Sequence, residues 1–309
     1  MKIYSFGPAI SLIDIAPPIP YFEGYVGVYV LRGDKVAIID PGPASFLGNL
    51  FSALEEMNIN TKDVIYILAS HIHLDHTGGV GAALQKLPNA MVVAHEKGKP
   101  HLADPTRLWK SSLQVSGELV QHYGQPQPVP PERMVTAEDG MAIDLGGMKA
   151  EVLFTPGHAS HSLSFYDRAG RNLFEGESAG VYVQELDQIR LSSPPPFNLE
   201  NMLSSIARLI SLGPETIYFS HFGRAYNALE RLRFLKEQLI LWGKVISVYT
   251  NQEWQDILEI LKKEDRSLDS LKMLPLQKQE RELLSMRMSI QGYMEYFRRF
   301  GKGAFNRGG

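Results

Sequence analysis

An apolar run from Val64 to Ala69 ends in Ser70-His71-Ile72-His73-Leu74-Asp75-His76-Thr77-Gly78-Gly79. The run is short, β-branched at Val64, Ile65 and Ile67, and closed by small polar residues, so it reads as a buried strand. Three histidines and one aspartate crowd into six residues directly behind it. Four potential ligands at the carboxyl end of a strand form half of a binuclear metal site. The remaining ligands must come from elsewhere in the chain.

Composition narrows what those ligands can be. The chain has no cysteine, which excludes disulfides, a cysteine nucleophile, thiolate zinc sites and iron–sulfur clusters. Any metal must be held by histidine and carboxylate. At 309 residues and 44% apolar, the chain can bury a large core and slightly exceeds the usual span of one domain. A formal charge of −3 gives no general reason to expect a nucleic acid or other polyanion as partner. No run of 18 apolar residues argues for a transmembrane helix. The opening MKIYSFGPAI lacks the apolar core and cleavage site of a secretory signal, so the expectation is a cytoplasmic protein with no membrane partner.

Along the chain, strands are expected at Ile3 to Phe6, Leu12 to Ile15, Tyr25 to Leu31 and Val36 to Ile39, the last two joined by a hairpin at Arg32-Gly33-Asp34. Helical spacing follows over Ala44 to Met57, Gly79 to Leu87 and Leu102 to Tyr123, with a strand at Met91 to Ala94. The segment Gln125 to Pro131 holds four prolines in seven residues and must be extended. Strands resume at Ala142 to Leu145, Lys149 to Phe154, Ser162 to Tyr166, Asn172 to Phe174 and Thr216 to Phe219, with a helix over Glu200 to Ile210. Strands alternating with helices imply a layered α/β arrangement. From about Ala225 the pattern is helical throughout. Apolar stripes run through Leu229, Leu232, Leu235, Leu239 and Trp242, then Trp254, Ile257, Leu258 and Leu261. A last stripe takes in Leu283, Met286, Ile290, Tyr293, Phe297 and Phe300. The division expected is a catalytic domain over 1–224 and a C-terminal helical extension over 225–309, frayed from Gly301 to Gly309.

Three more candidates each follow a strand signal: His158 in Thr155-Pro156-Gly157-His158, Glu177 in Glu175-Gly176-Glu177-Ser178, and His221 in Ser220-His221-Phe222-Gly223. In layered α/β structures ligands gather outside the carboxyl ends of strands, so the three fit one pattern. Taken together, HIHLDH, TPGH, LFEGES and SHFG resemble the metallo-β-lactamase superfamily, in its glyoxalase II-like hydrolase branch, over roughly Ile3 to Gly223. The resemblance implies an αβ/βα four-layer sandwich with the metals at one edge between two sheets. It further implies two divalent metal ions, zinc first, with iron or manganese as alternatives. His71, His73 and His158 would bind one ion; Asp75, His76 and His221 would bind the other. The bridging carboxylate, an aspartate in the family's FxGD segment, is replaced here by Glu177. Its extra methylene leaves three outcomes open: bridging both ions, binding one only, or lengthening their separation. Asp40 would hold ligand geometry through hydrogen bonds, against a turn-capping role of equal weight. His161 lies three residues past His158, close enough to face substrate. Tyr182 stands in a loop, Ser178 to Phe197, that either walls the pocket or acts as a rigid connector.

The chemistry suits that donor set. Imidazole and carboxylate suit zinc, iron(II) or manganese in a site without thiolate. Two ions roughly 3.5–4 Å apart can share a water and leave a metal-bound hydroxide to attack a carbonyl. One ion then stabilises the developing oxyanion, and Asp75 orients the hydroxide and takes part in proton transfer as the catalytic carboxylate. The expected reaction is hydrolysis of a small-molecule ester, thioester or lactone, with a homodimer among the arrangements open to the helical extension. Three rivals stand beside it: a phosphodiesterase or nuclease using the same cage, an iron-dependent persulfide dioxygenase, and a binding protein whose site has decayed at Glu177.

Overall fold

The computed structural model describes residues 2–15 and 22–301, with residues 115, 116 and 118 described by their backbone alone. Residues 302–309, expected to fray, lie outside the described residues. The chain divides into two compact units. The first comprises residues 1–154, 163–176 and 218–223; the second comprises 155–162, 177–217 and 224–309.

The first unit holds a seven-stranded sheet whose strands follow chain order: β1 (Lys2–Ser5), β2 (Ile10–Asp14), β3 (Gly27–Arg32), β4 (Val36–Ile39), β5 (Val64–Leu68), β6 (Met91–Ala94) and β7 (Met134–Thr136). Pairing is antiparallel through β4 and parallel from β4 to β7. The connections impose this switch. A three-residue turn between β3 and β4 can only make a hairpin, whereas parallel neighbours need a crossover. The crossovers are α1 (Leu47–Glu56), then α2 (Leu74–Thr77) with α3 (Val80–Leu84), then α4 (Lys99–Ala103) with α5 (Thr106–Tyr123). Successive side chains along a strand point to opposite faces, and here both faces are covered. Ile13, Val28, Val30, Ile38 and Ile67 pack with Leu50 and Leu54 of α1 and Val80 and Leu84 of α3. Their neighbours Leu12, Tyr29, Leu31, Ile39 and Leu68 pack against the second sheet through Ile143, Val152, Leu163, Phe165 and Phe174. Within this unit the second sheet orders its strands β14 (Thr216–Phe219), β11 (Asn172–Glu175), β10 (Leu163–Asp167), β9 (Lys149–Phe154) and β8 (Ala142–Asp144).

The second unit contains the turn at 155–162, an antiparallel hairpin of β12 (Val181–Val183) and β13 (Gln188–Arg190), and the helices α6 (Leu199–Ser211), α7 (Ala228–Val248), α8 (Trp254–Glu264) and α9 (Leu276–Phe300). Asn198 caps α6, its side chain accepting from the Asn201 N–H at 2.9 Å. Buried Trp242 of α7 donates its indole N–H to Asp265 Oδ2 at 2.9 Å, beside a 3.0 Å bond from Gln238 Nε2. In α9 the Tyr293 hydroxyl donates to the Leu239 carbonyl of α7 at 2.9 Å.

The structure departs from the sequence reading in definable places. The helix expected over Leu102 to Tyr123 is interrupted at Asp104-Pro105, because proline has no N–H to continue the ladder and disfavours helix in the residue before it. The stripe expected on α9 is buried only in its middle: Leu283 is 39% and Phe300 46% exposed. The short elements β7, β12, β13 and α2 run only three or four residues, too short for a period to show. Among the described residues no helix is long and apolar enough to cross a membrane.

One glycine ties local geometry to packing. Gly157 has φ +147°, its carbonyl accepts from the Asn198 N–H at 3.0 Å, and an added Cβ would lie 2.5 Å from Met202 Cα. Backbone cannot retreat as a flexible side chain can. Gly157→Ala is expected to destabilise the protein by about 1–3 kcal/mol through overpacking, read as a lower urea midpoint with an unchanged slope.

Candidate metal centre

In the first unit the site is assembled around a carboxylate that is itself buried. Asp40 follows β4 in a left-handed conformation, φ 49°, and is fully buried. Its Oδ1 accepts from the Ser70 N–H at 2.8 Å. Its Oδ2 accepts from Ser70 Oγ at 2.5 Å and Ser220 Oγ at 3.0 Å, and lies 3.3 Å from His76 Nδ1. Asp40 thereby joins the ends of β4, β5 and β14. The loop behind it is held equally closely. Gly42, φ 82°, donates its N–H to the His76 carbonyl at 2.8 Å, and Gly79 donates to the Gly42 carbonyl at 2.7 Å. The adoption of positive φ at Gly42 is what glycine permits and other residues resist.

These contacts set which ring nitrogen faces an acceptor. A carboxylate and a backbone carbonyl only accept, so any ring nitrogen facing one must carry hydrogen. His76 Nδ1 faces Asp40, and His221 Nδ1 faces the Tyr25 carbonyl at 3.2 Å. Ser70 spends its single hydroxyl hydrogen on Asp40 and so accepts from His71 Nδ1 at 3.0 Å. In the tautomer with the proton on Nδ1, each ring offers a lone pair at Nε2. The consequence is local and unfavourable by itself: His76 Nε2 and His221 Nε2 converge to 3.3 Å, with Asp75 Oδ2 3.7 Å from the first and 3.8 Å from the second. His71 Nε2 likewise meets His73 Nδ1 at 3.0 Å. Converging lone pairs beside a carboxylate call for a cation, and the ligand atoms of Asp75, His76 and His221 lie within 4.8 Å of one another. The residues present fit a divalent metal.

The second unit carries its own pair. His158 Nδ1 faces the Ser192 carbonyl at 3.2 Å, and its Nε2 lies 2.5 Å from Glu177 Oε2. The other carboxylate oxygen of Glu177, Oε1, accepts from Ser192 Oγ at 3.1 Å. Both side chains are buried. Glu177 is therefore directed at His158, with one oxygen tethered.

Other residues singled out from the sequence are engaged differently. Tyr182 donates its hydroxyl to Asp187 Oδ1 at 2.6 Å, and Arg231 Nη2 bonds the same oxygen at 2.6 Å. Burial and the Asp187 carboxylate push the Tyr182 phenol up to about 12, which holds it protonated as that donor. His161 stands half-buried in the turn at residues 160–161. Sequence reasoning passed over Ser70 and Ser220, although a signal exists: each stands at a strand end immediately before a ligand histidine. It also passed over Gly176, where an added Cβ would lie 2.6 Å from Ser70 Oγ and 3.0 Å from His71 Nδ1. Tyr29 is a further supporting residue, its buried hydroxyl shared between the Phe219 and Gly223 carbonyls at 2.9 and 2.6 Å on either side of His221.

Comparison with known proteins agrees with this architecture. Residues 21–221 match the family described as the metallo-beta-lactamase superfamily. The chain belongs to that superfamily. Among relatives of this superfamily member, the metallo-beta-lactamase fold-containing protein ST1585 of Sulfurisphaera tokodaii is 30% identical over 207 residues, covering 65% of this chain and 74% of that protein. A hydroxyacylglutathione hydrolase of Cronobacter sakazakii is 25% identical over 259 residues, covering 78% and 88%. The acyl-coenzyme A thioesterase MBLAC2 of Gallus gallus is 30% identical over 152 residues, covering 47% and 50%. The crystal structure of ST1585 from Sulfolobus tokodaii matches with a TM-score of 0.71 at 24% identity, covering 94% of this chain and 99% of that one. That likeness concerns the fold: the αβ/βα sandwich with C-terminal helices.

Replacing the Asp40 carboxylate tests the anchor. Asp40→Asn puts an amide N–H₂ among groups that all donate, leaving buried donors opposed. Loss of about 2–4 kcal/mol of stability is expected in urea unfolding, whereas Ser220→Ala should cost only about 1 kcal/mol.

Proposed function

We propose that this member of the superfamily is a metal-dependent hydrolase of a small-molecule ester, thioester or lactone, in the glyoxalase II-like branch. The observation that carries the reading is the convergence of His76 Nε2 and His221 Nε2, 3.3 Å apart, beside Asp75. Asp75, His76 and His221 would hold one ion; His71, His73, His158 and Glu177 stand in the superfamily's ligand order along the chain. The motif order along the chain supports this reading, and in His158 and His221 Nδ1 faces a backbone carbonyl, leaving Nε2 turned the other way. Zinc is the proposed metal, since imidazole and carboxylate donors suit it, with iron(II) and manganese as alternatives.

A divalent cation held there supplies positive charge beside a scissile carbonyl and acidifies water. The chain's own contribution is positioning and proton handling. Asp75 is the proposed catalytic carboxylate: its side chain is 21% exposed, so it can reach both solvent and substrate, and it can accept a proton from water and return it to the leaving group. Glu177, tethered at one oxygen by Ser192, offers the other towards His158 rather than swinging freely. The thioester preference is supported by relatives that carry the names hydroxyacylglutathione hydrolase and acyl-coenzyme A thioesterase. A small acyl substrate also fits a chain of net charge −3 better than a nucleic acid does.

The test is a hydrolysis panel of glutathione and coenzyme A thioesters, aryl esters and lactones, run after loading with zinc, iron or manganese. Turnover of at least one acyl class is expected, and Asp75→Asn should lower kcat by about 10²–10⁴-fold while metal remains bound. Turnover of a model phosphodiester alone, or oxygen uptake with a persulfide and iron, would overturn the proposal.

A further inference from the structure

The second unit contains a short bracket around one segment. Residues Arg190 to Ser193, the end of β13 and its continuation, are bonded at three of their four positions by different partners. Buried Arg190 is bound by the 3-10 helix at Arg266–Met273: its guanidinium donates to Ser267 Oγ at 3.1 Å, the Ser267 carbonyl at 3.0 Å and Ser270 Oγ at 3.0 Å. The Leu191 N–H donates to Gln238 Oε1 of α7 at 3.3 Å. The Ser193 N–H donates to Ser289 Oγ of α9 at 3.3 Å. Three elements of the helical region therefore grip one four-residue segment. Gly292 of α9 completes the grip, since its Cα faces the Ser193 carbonyl with no room for a Cβ.

Ser192 lies between those gripped residues and is turned the other way. Its carbonyl accepts from His158 Nδ1 at 3.2 Å, and its hydroxyl donates to Glu177 Oε1 at 3.1 Å. One residue thus sets the ring orientation of His158 and fixes one oxygen of Glu177. We infer that Ser192 is a positioning residue for the His158–Glu177 pair, and that the C-terminal helices serve to hold Ser192 in place. This rests on the reading of His158 and Glu177 as metal ligands and deepens it. It also gives a physical reason for the glutamate: a side chain one methylene longer than aspartate has more rotamers to lose, and the serine bond removes that freedom before a metal arrives.

Other features of the molecule carry less. The groove of about 330 Å³ lined by Pro195, Glu253, Trp254, Met294 and Arg298 mixes both signs of charge and favours no ligand class. The buried Asp265 is already bonded by Trp242, Gln238 and Ser267.

The test uses the full-length protein stripped with a chelator and titrated with Co²⁺, whose visible absorption reports ligand geometry directly. Ser192→Ala removes only the hydroxyl bond and leaves the carbonyl to His158. One cobalt equivalent is expected to weaken by about 10–100-fold, the range typical when groups that orient ligands are lost, with a changed visible spectrum. Ser192→Thr keeps the hydroxyl and should restore both affinity and spectrum. Ser289→Ala, remote from either ligand, should shift affinity in the same direction by a smaller factor. In the double variant Ser192→Ala/Glu177→Asp, the losses should be less than additive, because the bond is already gone. Unfolding midpoints separate loss of fold from loss of positioning. Unchanged cobalt affinity and spectrum in a folded Ser192→Ala overturns this inference alone. A wild-type protein that takes up no cobalt or zinc overturns the metal reading and this inference with it.

Discussion

A carboxylate buried without water must be surrounded by donors, and in this protein the donors of Asp40 come from the places where ligands leave the sheet. Ser70 and Ser220 stand at the ends of β5 and β14, each one residue ahead of a histidine, and His76 completes the set. Satisfying one charge therefore fixes three strand ends and, through them, three imidazoles. The order of cause matters. The sheet brings the strand ends together by burying apolar faces; Asp40 converts that rough proximity into particular ring orientations. A histidine whose Nδ1–H is committed to a buried acceptor can offer only Nε2 to a ligand.

The second unit reaches the same end by other means. A backbone carbonyl orients the His158 ring, and a serine hydroxyl tethers Glu177, with the supporting force supplied by helices gripping the segment on either side. A carbonyl is a weaker acceptor than a carboxylate but cannot be lost by substitution, and it is as rigid as the segment that carries it. Rigidity must then come from packing, which is what α7 and α9 provide around Trp242 and Tyr293.

Much of this was legible in the residues. Strands Val36–Ile39, Met91–Ala94, Lys149–Phe154 and Thr216–Phe219 were readable to the residue, three of them as short apolar or β-branched runs and Lys149–Phe154 from the apolar stretch that follows its polar start. The histidines stood out because imidazoles and a carboxylate crowded behind a buried strand serve packing poorly and a cation well. What sequence could not reveal was relational. Ser70 and Ser220 are 150 residues apart and ordinary in isolation; only their common acceptor makes them a pair. Ser192 gave no signal, since its role depends on one peptide plane facing His158 while its neighbours face helices. The exposed ends of α9 were misread because a stripe records which face is apolar, not how far along the helix a partner extends.

The distance along the chain between His76 and His221, 145 residues, has a meaning for how the protein is made. At usual rates of synthesis, on the order of ten seconds pass between the emergence of the first and the second from the ribosome. During that interval the loop after β5 presents its imidazoles without their last partner, and the end of β14 that will complete Asp40's ring of donors has not yet been translated. Until then Asp75 and His76 stand without His221, and the group of three that could hold a metal ion is incomplete.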